Sequence, residues 1–532
     1  MQIVVKLKDV IIDPASPVDL TIMPPEQAIA MVRKAYGFLA ANMTFEIQGE
    51  MIVITVTEER KQDEELAKDC LTRGLKQAQS GRFNKAVDLF TRVIKLVPEH
   101  TEARRNLAMA LMNAKRLPEA KDQLVDVLRL SPKDTWAYVL LGNIYANQEN
   151  DPDTAERYYL KALETDPKDS YALTNYAALK IECKDPKGAR ALFEQAIALE
   201  PTKPNPYYGL AMLLNDDGKG KISEALAVLD KMYDLASFDD VRTTELRKEC
   251  REFYLRISAQ VADADVAYDS MWKAVLSYRD EIARITGTPV DLVEDNSLQD
   301  TTATSTPSWR GTSGKHVLRY NSRGKSVVPH IVARELEAIR MEYEARQVGK
   351  AYGLRYLNEN PNRTKAIEDH VRHLARNLNG EAEARAFITT VTDTLMSRLL
   401  FTVMDVLVEH RVYARLPEIR ASQTVGLYLH SRQKRNPLDQ PQVSRALPFL
   451  VKQAHEISAA AWAIFIDKVN RNASAYASDY SCISGLPLSR EFADGWLNAV
   501  KDFKSGDEYE LVRQFVQVLR LDGWLEMKPL GV

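Results

Sequence analysis

The sequence predicts a mainly α fold: a helical solenoid, preceded by a small N-terminal α/β cap and followed by a mostly helical C-terminal domain. Three observations carry this prediction. Small and large apolar residues recur at fixed offsets over residues 67–235, strand-like alternation is concentrated in residues 1–60, and residues 330–532 keep mainly helical spacing. A chain of 532 residues exceeds one hydrophobic core, so division into several domains is expected.

Residues 1–60 read as β-α-β-β. Gln2–Ile12 is rich in β-formers, and Pro24–Asn42 is helical with proline at its start. Thr44–Gln48 and Met51–Thr57 flank the dipeptide Gly49-Glu50, and glycine in the first turn position suits a type II′ hairpin. No chemistry is expected there.

From Ala67 the period becomes helical and the pattern repeats at about 34 residues. Prolines recur at Pro98, Pro132, Pro167 and Pro201. Small residues mark the first helix of each pair at Gly74, Ala108, Gly142, Ala177 and Ala211, and the second at Ala86, Ala120, Ala155, Ala189 and Ala225. One turn after each second-helix alanine stands a large side chain: Phe90, Leu124, Tyr159, Phe193 and Leu229. Small residues let antiparallel helices approach closely, the large residue fills the layer, and proline ends the second helix. The third unit has an extra residue near Asn150-Asp151; the fifth has two near Gly218–Lys221 and lacks the closing proline.

These five registers closely resemble the tetratricopeptide repeat over residues 67–235. The resemblance implies a concave groove, lined by the first helices, that takes a protein or peptide partner. The repeat register places Glu102, Arg105, Met109 and Asn113 on that face, then Trp136, Asn143 and Asn147, then Tyr171 and Thr174, and finally Asn205, Tyr208, Met212 and Asn215. Asparagine amides can pair with both backbone groups of an extended peptide, and Trp and Tyr supply apolar anchors. Relatives that clamp a C-terminal carboxylate use polar inner positions. Asn106 fits that pattern, whereas Leu71, Leu75, Trp136 and Leu140 do not.

Residues 236–286 stay helical without the repeat marks and are expected to cap the solenoid. Residues 287–315 are rich in Thr, Ser and Asp and read as a linker or loop. His316–Val328 then reads as strand–turn–strand, opening a helical domain over 316–532.

The segment VVPHIVARELEAIRMEYEARQVGK, residues 327–350, holds the second functional signal. A zinc peptidase helix carries H-E-x-x-H, with two histidines one turn apart on the metal and a glutamate activating water. The frame here is Arg334-Glu335-Leu336-Glu337-Ala338, and with the preceding strand–turn–strand it resembles a degenerate gluzincin-like metallopeptidase domain. The resemblance matches Glu335 to the general base and Glu409 to the third, carboxylate ligand. Arg334 and Ala338 replace both histidines, so it implies a fold without zinc, with Arg334 paired to Glu335 or Glu409 at the old metal position. The plainer reading is an amphipathic helix with Ile331, Leu336, Ile339 and Tyr343 inward and Glu337, Arg340 and Glu344 outward. The pair His370 and His373, and His330 one turn before Arg334, lack a matched carboxylate for another metal site.

Composition narrows the function. The 71 basic and 74 acidic residues give a net charge of −3 without a basic run, so nucleic acid is not an expected partner. Cys70, Cys183, Cys250 and Cys482 are scattered without a C-x-x-C pair, which leads to the expectation of a reducing, cytoplasmic setting. Lys6 and Lys8 interrupt the apolar N-terminus, and Leu395–Val408 and Ile457–Ile466 are too short to span a bilayer, so no membrane role is expected. No phosphate loop, nucleophile elbow or Cys–His pair is evident, and no cofactor is expected. The sequence thus points to a non-catalytic scaffold with an inactive peptidase-like domain. The alternatives are a zinc-dependent peptidase with a rearranged metal site, or an unrelated helical module over 316–532.

Overall fold

The computed structural model describes every residue except 1, 11, 13–17, 38–42, 57–60, 217–220, 237–243, 376–379, 471–475, 481, 482, 484, 531 and 532. Cys482 and the glycines of the expected insertion after Asp216 therefore lie outside the described residues. The chain divides into two compact units, Met1–Arg247 and Lys248–Val532.

In the first unit, strands β1 (Gln2–Lys6), β2 (Met43–Gln48) and β3 (Met51–Val56) form an antiparallel sheet in the order β1-β3-β2, with helix α1 (Pro25–Tyr36) between β1 and β2 in sequence. The expected turn is present. Gly49 lies at φ +62°, which an L side chain adopts only at a cost. Alternation along the strands buries Ile3, Val5, Ile52 and Ile54, and Ala28, Val32 and Tyr36 of α1 close over them. Leu130 joins this core, and Arg129 donates to the Ile12 carbonyl at 2.9 Å.

The solenoid follows as five helix pairs: α2 (Lys61–Gln79) with α3 (Phe83–Leu96), α4 (Thr101–Asn113) with α5 (Leu117–Leu130), α6 (Thr135–Asn147) with α7 (Pro152–Thr165), α8 (Ser170–Glu182) with α9 (Pro186–Leu199), and α10 (Pro204–Asp216) with α11 (Ile222–Leu235). The five second-helix alanines are fully buried, as are the large residues one turn later, none more than 2% exposed. A Cβ added to Gly74 would come within 2.6 Å of the Phe90 ring, and one added to Gly142 within 2.5 Å of the Tyr159 ring. Glycine at these positions therefore sets how closely the paired helices approach.

The turns within the first four pairs are also periodic. Gly81, Lys115, Asn150 and Lys184 all have φ between +52° and +70°. The extra residue of the third unit is thus absorbed at the position that already turns left-handed. Aspartates cap several solenoid helices: Asp134 accepts from the Ala137 amide of α6 at 2.9 Å, and Asp185 from the Gly188 amide of α9 at 2.9 Å. The recurring prolines lie past the ends of α3, α5, α7 and α9. Carbonyls of three of them accept from the side chain six residues on: Pro98 from Arg104, Pro132 from Tyr138, and Pro201 from Tyr207.

The segment expected to cap the solenoid forms helices α12 (Thr244–Asp263) and α13 (Asp265–Thr286), and the division between the two units falls within α12, at Arg247–Lys248. Beyond it the structure departs from expectation in two places. Residues 287–315 are not a linker. They supply β4 (Val290–Glu294) and β5 (Ala303–Thr306), which flank β6 (His316–Tyr320), parallel and antiparallel respectively. Thr and Ser suit an edge strand as well as a loop, and only the long-range pairing decides. The expected strand–turn–strand over 316–328 is therefore β6 followed by the helical turn Lys325–Val327.

Helix α14 (Val328–Gln347) packs between α13 and the β5–β6 pair and leads to β7 (Tyr352–Tyr356). Then come α15 (Pro361–Leu374), α16 (Glu381–Leu400), α17 (Thr402–Arg415), α18 (Arg420–Asp439), α19 (Pro441–Ala446), α20 (Phe449–Val469), α21 (Leu486–Ala499) and α22 (Asp507–Val518). Strand β8 (Leu525–Pro529) pairs antiparallel with β7. The apolar segments of α16–α17 and α20 form the core of this unit, around Trp462 and Phe465. No helix among the described residues is long and apolar enough to cross a membrane.

Glu337 corrects the simple amphipathic reading of α14. It is fully buried and accepts from the Tyr278 hydroxyl, with Arg411 at 2.5 Å and Arg415 at 3.5 Å. Arg340 and Glu344 are half-buried and pair with each other at 2.8 Å, Arg340 also meeting Glu281 at 2.7 Å. Burial pushes the Glu337 carboxyl up, and the two arginines and Tyr278 oppose it.

Gly142→Ala forces its methyl against a Tyr159 ring that is itself pinned by a 2.6 Å hydroxyl bond to Asn143. Overpacking of this kind costs about 1–3 kcal/mol. Urea unfolding of the variant should show a loss in that range, and a change below about 0.3 kcal/mol would contradict the close-approach account.

Candidate functional site

The predicted residues gather at two places, one in each unit. In the solenoid, every side chain assigned to the inner face is at least partly exposed, whereas neighbours such as Leu107, Leu141 and Ala177 are buried. The inner helices thus turn their predicted stripe away from the core.

Several of these side chains also work within the frame. Arg105 meets Asp134 at 2.5 Å, tying one repeat to the cap of the next. Asn143 accepts the Tyr159 hydroxyl, Asn113 donates to the Met109 carbonyl at 2.9 Å, and Asn215 reaches Asp216 at 3.4 Å. Trp136 and Tyr171 stand edge to face, with ring centroids 5.2 Å apart at 86°. The Lys203 ammonium lies 5.4 Å over the Tyr171 ring. An aromatic–cation patch therefore runs across three consecutive repeats on this face. Asn147 and Asn205 are exposed and Tyr208 is half-buried. Sequence reasoning missed Lys203, whose inter-repeat position is fixed by the turn before α10. Leu71 and Leu75 pack against the repeat core and Leu140 is buried, which leaves those carboxylate-clamp positions apolar.

In the second unit, α14 and α17 bring the peptidase-like positions together. Arg334, Glu335 and Ala338 line a cavity of about 420 Å³ with Ser305, Asp405 and apolar side chains. Arg334 points inward, with Nε 2.7 Å from Glu409 and an Nη 3.1 Å from Asp405. Of the two pairings expected for Arg334, the geometry is that with Glu409. Glu335 instead accepts from the Ser305 hydroxyl of β5 at 2.7 Å.

Glu409 is not placed as a cavity-facing ligand. It is buried behind Arg334, receiving His330 Nε2 at 2.9 Å and the Gln423 amide at 2.9 Å. Asp405, one turn earlier on α17, lines the cavity in its place and also lies 3.6 Å from Lys434. Helical phase in the sequence could not choose between two carboxylates on one face of α17, because the α14–α17 packing decides.

The electrostatics follow from burial and pairing. Burial opposes ionisation of Glu409, but His330 and Arg334 outweigh it and hold the carboxyl down at about 2. Burial pushes Glu335 up, with Ser305 and Arg334 opposing. Burial lowers Lys434, and burial with nearby Lys434 and Arg334 lowers His430 well below its ordinary range.

This donor set does not fit zinc. A guanidinium and a methyl stand where two imidazoles are needed, and the inner carboxylate is consumed by His330, Gln423 and Arg334. Among the described residues no group of three or more His, Cys, Asp or Glu could hold a metal ion. The His373 side chain lies outside the described residues.

Family models described as tetratricopeptide repeat match residues 77–144, 137–169 and 158–191. Curated relatives include protein O-mannosyl-transferase Tmtc3 of Drosophila melanogaster, 30% identical over 141 residues, 26% of this chain and 15% of the relative. Human protein O-mannosyl-transferase TMTC3 is 29% identical over 130 residues, 24% and 14% of the two chains. Anaphase-promoting complex subunit 3 of Dictyostelium discoideum is 33% identical over 94 residues, 18% and 10%. The chain thus aligns with about a seventh or less of these relatives' lengths.

Among solved structures, a thermophilic TPR protein of Thermus thermophilus is 22% identical with a TM-score of 0.31, covering 36% of this chain and 98% of that one. YrrB, a TPR protein with an unusual peptide-binding site, is 17% identical with a TM-score of 0.24, covering 35% and 95%. The family matches show that the chain contains tetratricopeptide repeats. The family matches stop at residue 191 and give the peptidase-like reading of residues 316–532 no support. The cytoplasmic expectation is overturned by the relatives named as protein O-mannosyl-transferases. Scattered thiols and repeat composition do not specify a compartment.

The Glu409 network has a measurable consequence. Glu409→Gln leaves Arg334 and His330 without their shared buried anion, a class of change that costs about 3–5 kcal/mol. The folded carboxyl sits near 2, below its unfolded value of 4.5, so its stabilisation is present above about pH 4.5 and is lost as pH falls toward 2. Denaturant unfolding across pH 2–6 should show a shallower acid loss in the variant. Parallel wild-type and variant curves would contradict this.

Proposed function

We propose that this tetratricopeptide-repeat chain is a non-catalytic protein-interaction scaffold that seats a protein or peptide partner along its inner helices α4, α6, α8 and α10. The observation that carries the reading is the Trp136–Tyr171 edge-to-face pair, standing with Lys203 on a face otherwise rich in asparagine. Rigid aromatics that remain accessible in a packed repeat are the side chains best suited to anchor a partner at low entropic cost. Asn113, Asn143, Asn147, Asn205 and Asn215 bring amides at intervals along the same face, suited to an extended backbone. Arg105 is tied to Asp134 and serves to hold the face rather than to contact the partner.

For residues 316–532 the proposal is a peptidase-like domain without its metal. It rests on the placement of Arg334, Glu335, Ala338 and Asp405 around one cavity beside a β5–β6 pair. The zinc-peptidase alternative is disfavoured by the donor set, in which Arg334 and Ala338 replace both imidazoles.

Trp136→Ala and Tyr171→Ala should each weaken partner binding by about 2 kcal/mol, roughly thirtyfold, with circular dichroism unchanged. Tyr208→Ala, on the next inner helix, should add to the loss. Unchanged affinity in the Trp136→Ala, Tyr171→Ala double variant, measured by titration with the native partner, would remove the groove assignment.

A further inference from the structure

The cavity between α14 and α17 holds one carboxylate that makes no direct ion pair. Its cations are matched. Arg310 reaches Glu342 at 2.7 Å, and Arg334 is shared by Asp405 and Glu409. Glu342 is also met by Arg346 at 3.1 Å, and Asp405 by Lys434 at 3.6 Å. The carboxylate left over is Glu335. It accepts from the Ser305 hydroxyl and feels neighbouring Arg334 through space, but no cation among the described residues forms an ion pair with it. Ala338 presents a methyl one turn from Arg334 and leaves the space open, while Leu354, Phe401, Met404, Val408 and Tyr509 give apolar walls. About 420 Å³ falls within the range of small-ligand pockets.

We propose that this cavity binds a ligand bearing a primary ammonium on an apolar body, with Glu335 as its ion partner and the apolar walls around its side chain. An ammonium beside Glu335 supplies the direct ion partner that this carboxylate lacks, and the apolar walls lower the local dielectric around the pair. A free amine and the amino terminus of a peptide share this chemistry. An anionic ligand is disfavoured because Arg334, the inner cation, already faces two carboxylates.

The test is calorimetric titration of the full chain with 2-phenylethylamine, its neutral isostere 2-phenylethanol and 3-phenylpropanoate. A second arm uses a Leu-Ala-Ala peptide amide with a free or an acetylated amino terminus. The amine should bind at least tenfold more tightly than the alcohol or the carboxylate. A tenfold loss on acetylation assigns the site to peptide amino termini, and equal weak binding of both peptides with retained amine binding assigns it to small amines. Glu335→Gln should reduce amine binding at least tenfold, and Ala338→Trp should abolish it by filling the cavity. Alcohol binding within twofold of the amine, tighter binding of the carboxylate, or no binding of the amine at millimolar concentration would overturn the proposal. The comparison on the unmodified chain keeps this decisive where a variant does not fold.

Discussion

The packing of a small residue against a large side chain within the helix pairs is the constraint on which the solenoid depends. Gly142 under Tyr159 and Gly74 under Phe90 leave no room for even one methyl group. Once that distance is set, the buried alanine of the second helix and the ring one turn later fill the layer, and the pair's remaining faces are fixed by helical phase. Repetition then carries the exposed stripe of each first helix into line with the next. The Trp136–Tyr171 contact across successive repeats is the product of that alignment.

The second unit is organised by charge as well as by apolar packing. Helix α14 has buried side chains on several faces and carries Arg334, Glu335 and Glu337 into the interior. Each is satisfied differently. Glu337 draws on Tyr278 and Arg411, Arg334 on α17, and Glu335 on a single hydroxyl of β5. Buried ion pairs of this kind add little net stability compared with apolar packing, but removing one partner is costly. They fix how α13, α14 and α17 register against one another. The carboxylate with the least compensation is the one that faces open space.

The repeats were legible because their physics is local and periodic. A small residue and a large apolar residue one turn on recur in five units, and a proline past the helix end in four of them, at nearly one spacing, so the copies reinforce each other. The hairpin at Gly49 was legible for a similar local reason. Strands β4 and β5 were not, since their Thr-, Ser- and Asp-bearing segments acquire partners only through β6. The burial of Glu337 was hidden because the groups that neutralise it, Tyr278 and Arg411, lie far along the chain. The pairing of Arg334 with Glu409 was one of two that the peptidase resemblance implied, whereas the cavity position of Asp405 needed the helix crossing.

The claim that the solenoid's inner face receives the partner is tested most directly by site-specific photo-cross-linking. A photoreactive residue at Met109 or Met212, partly or fully exposed on inner helices, should capture the native partner, and the same probe at exposed Leu160 on the second helix α7 should not. Cross-linking from Leu160 with none from Met109 or Met212 would contradict the account.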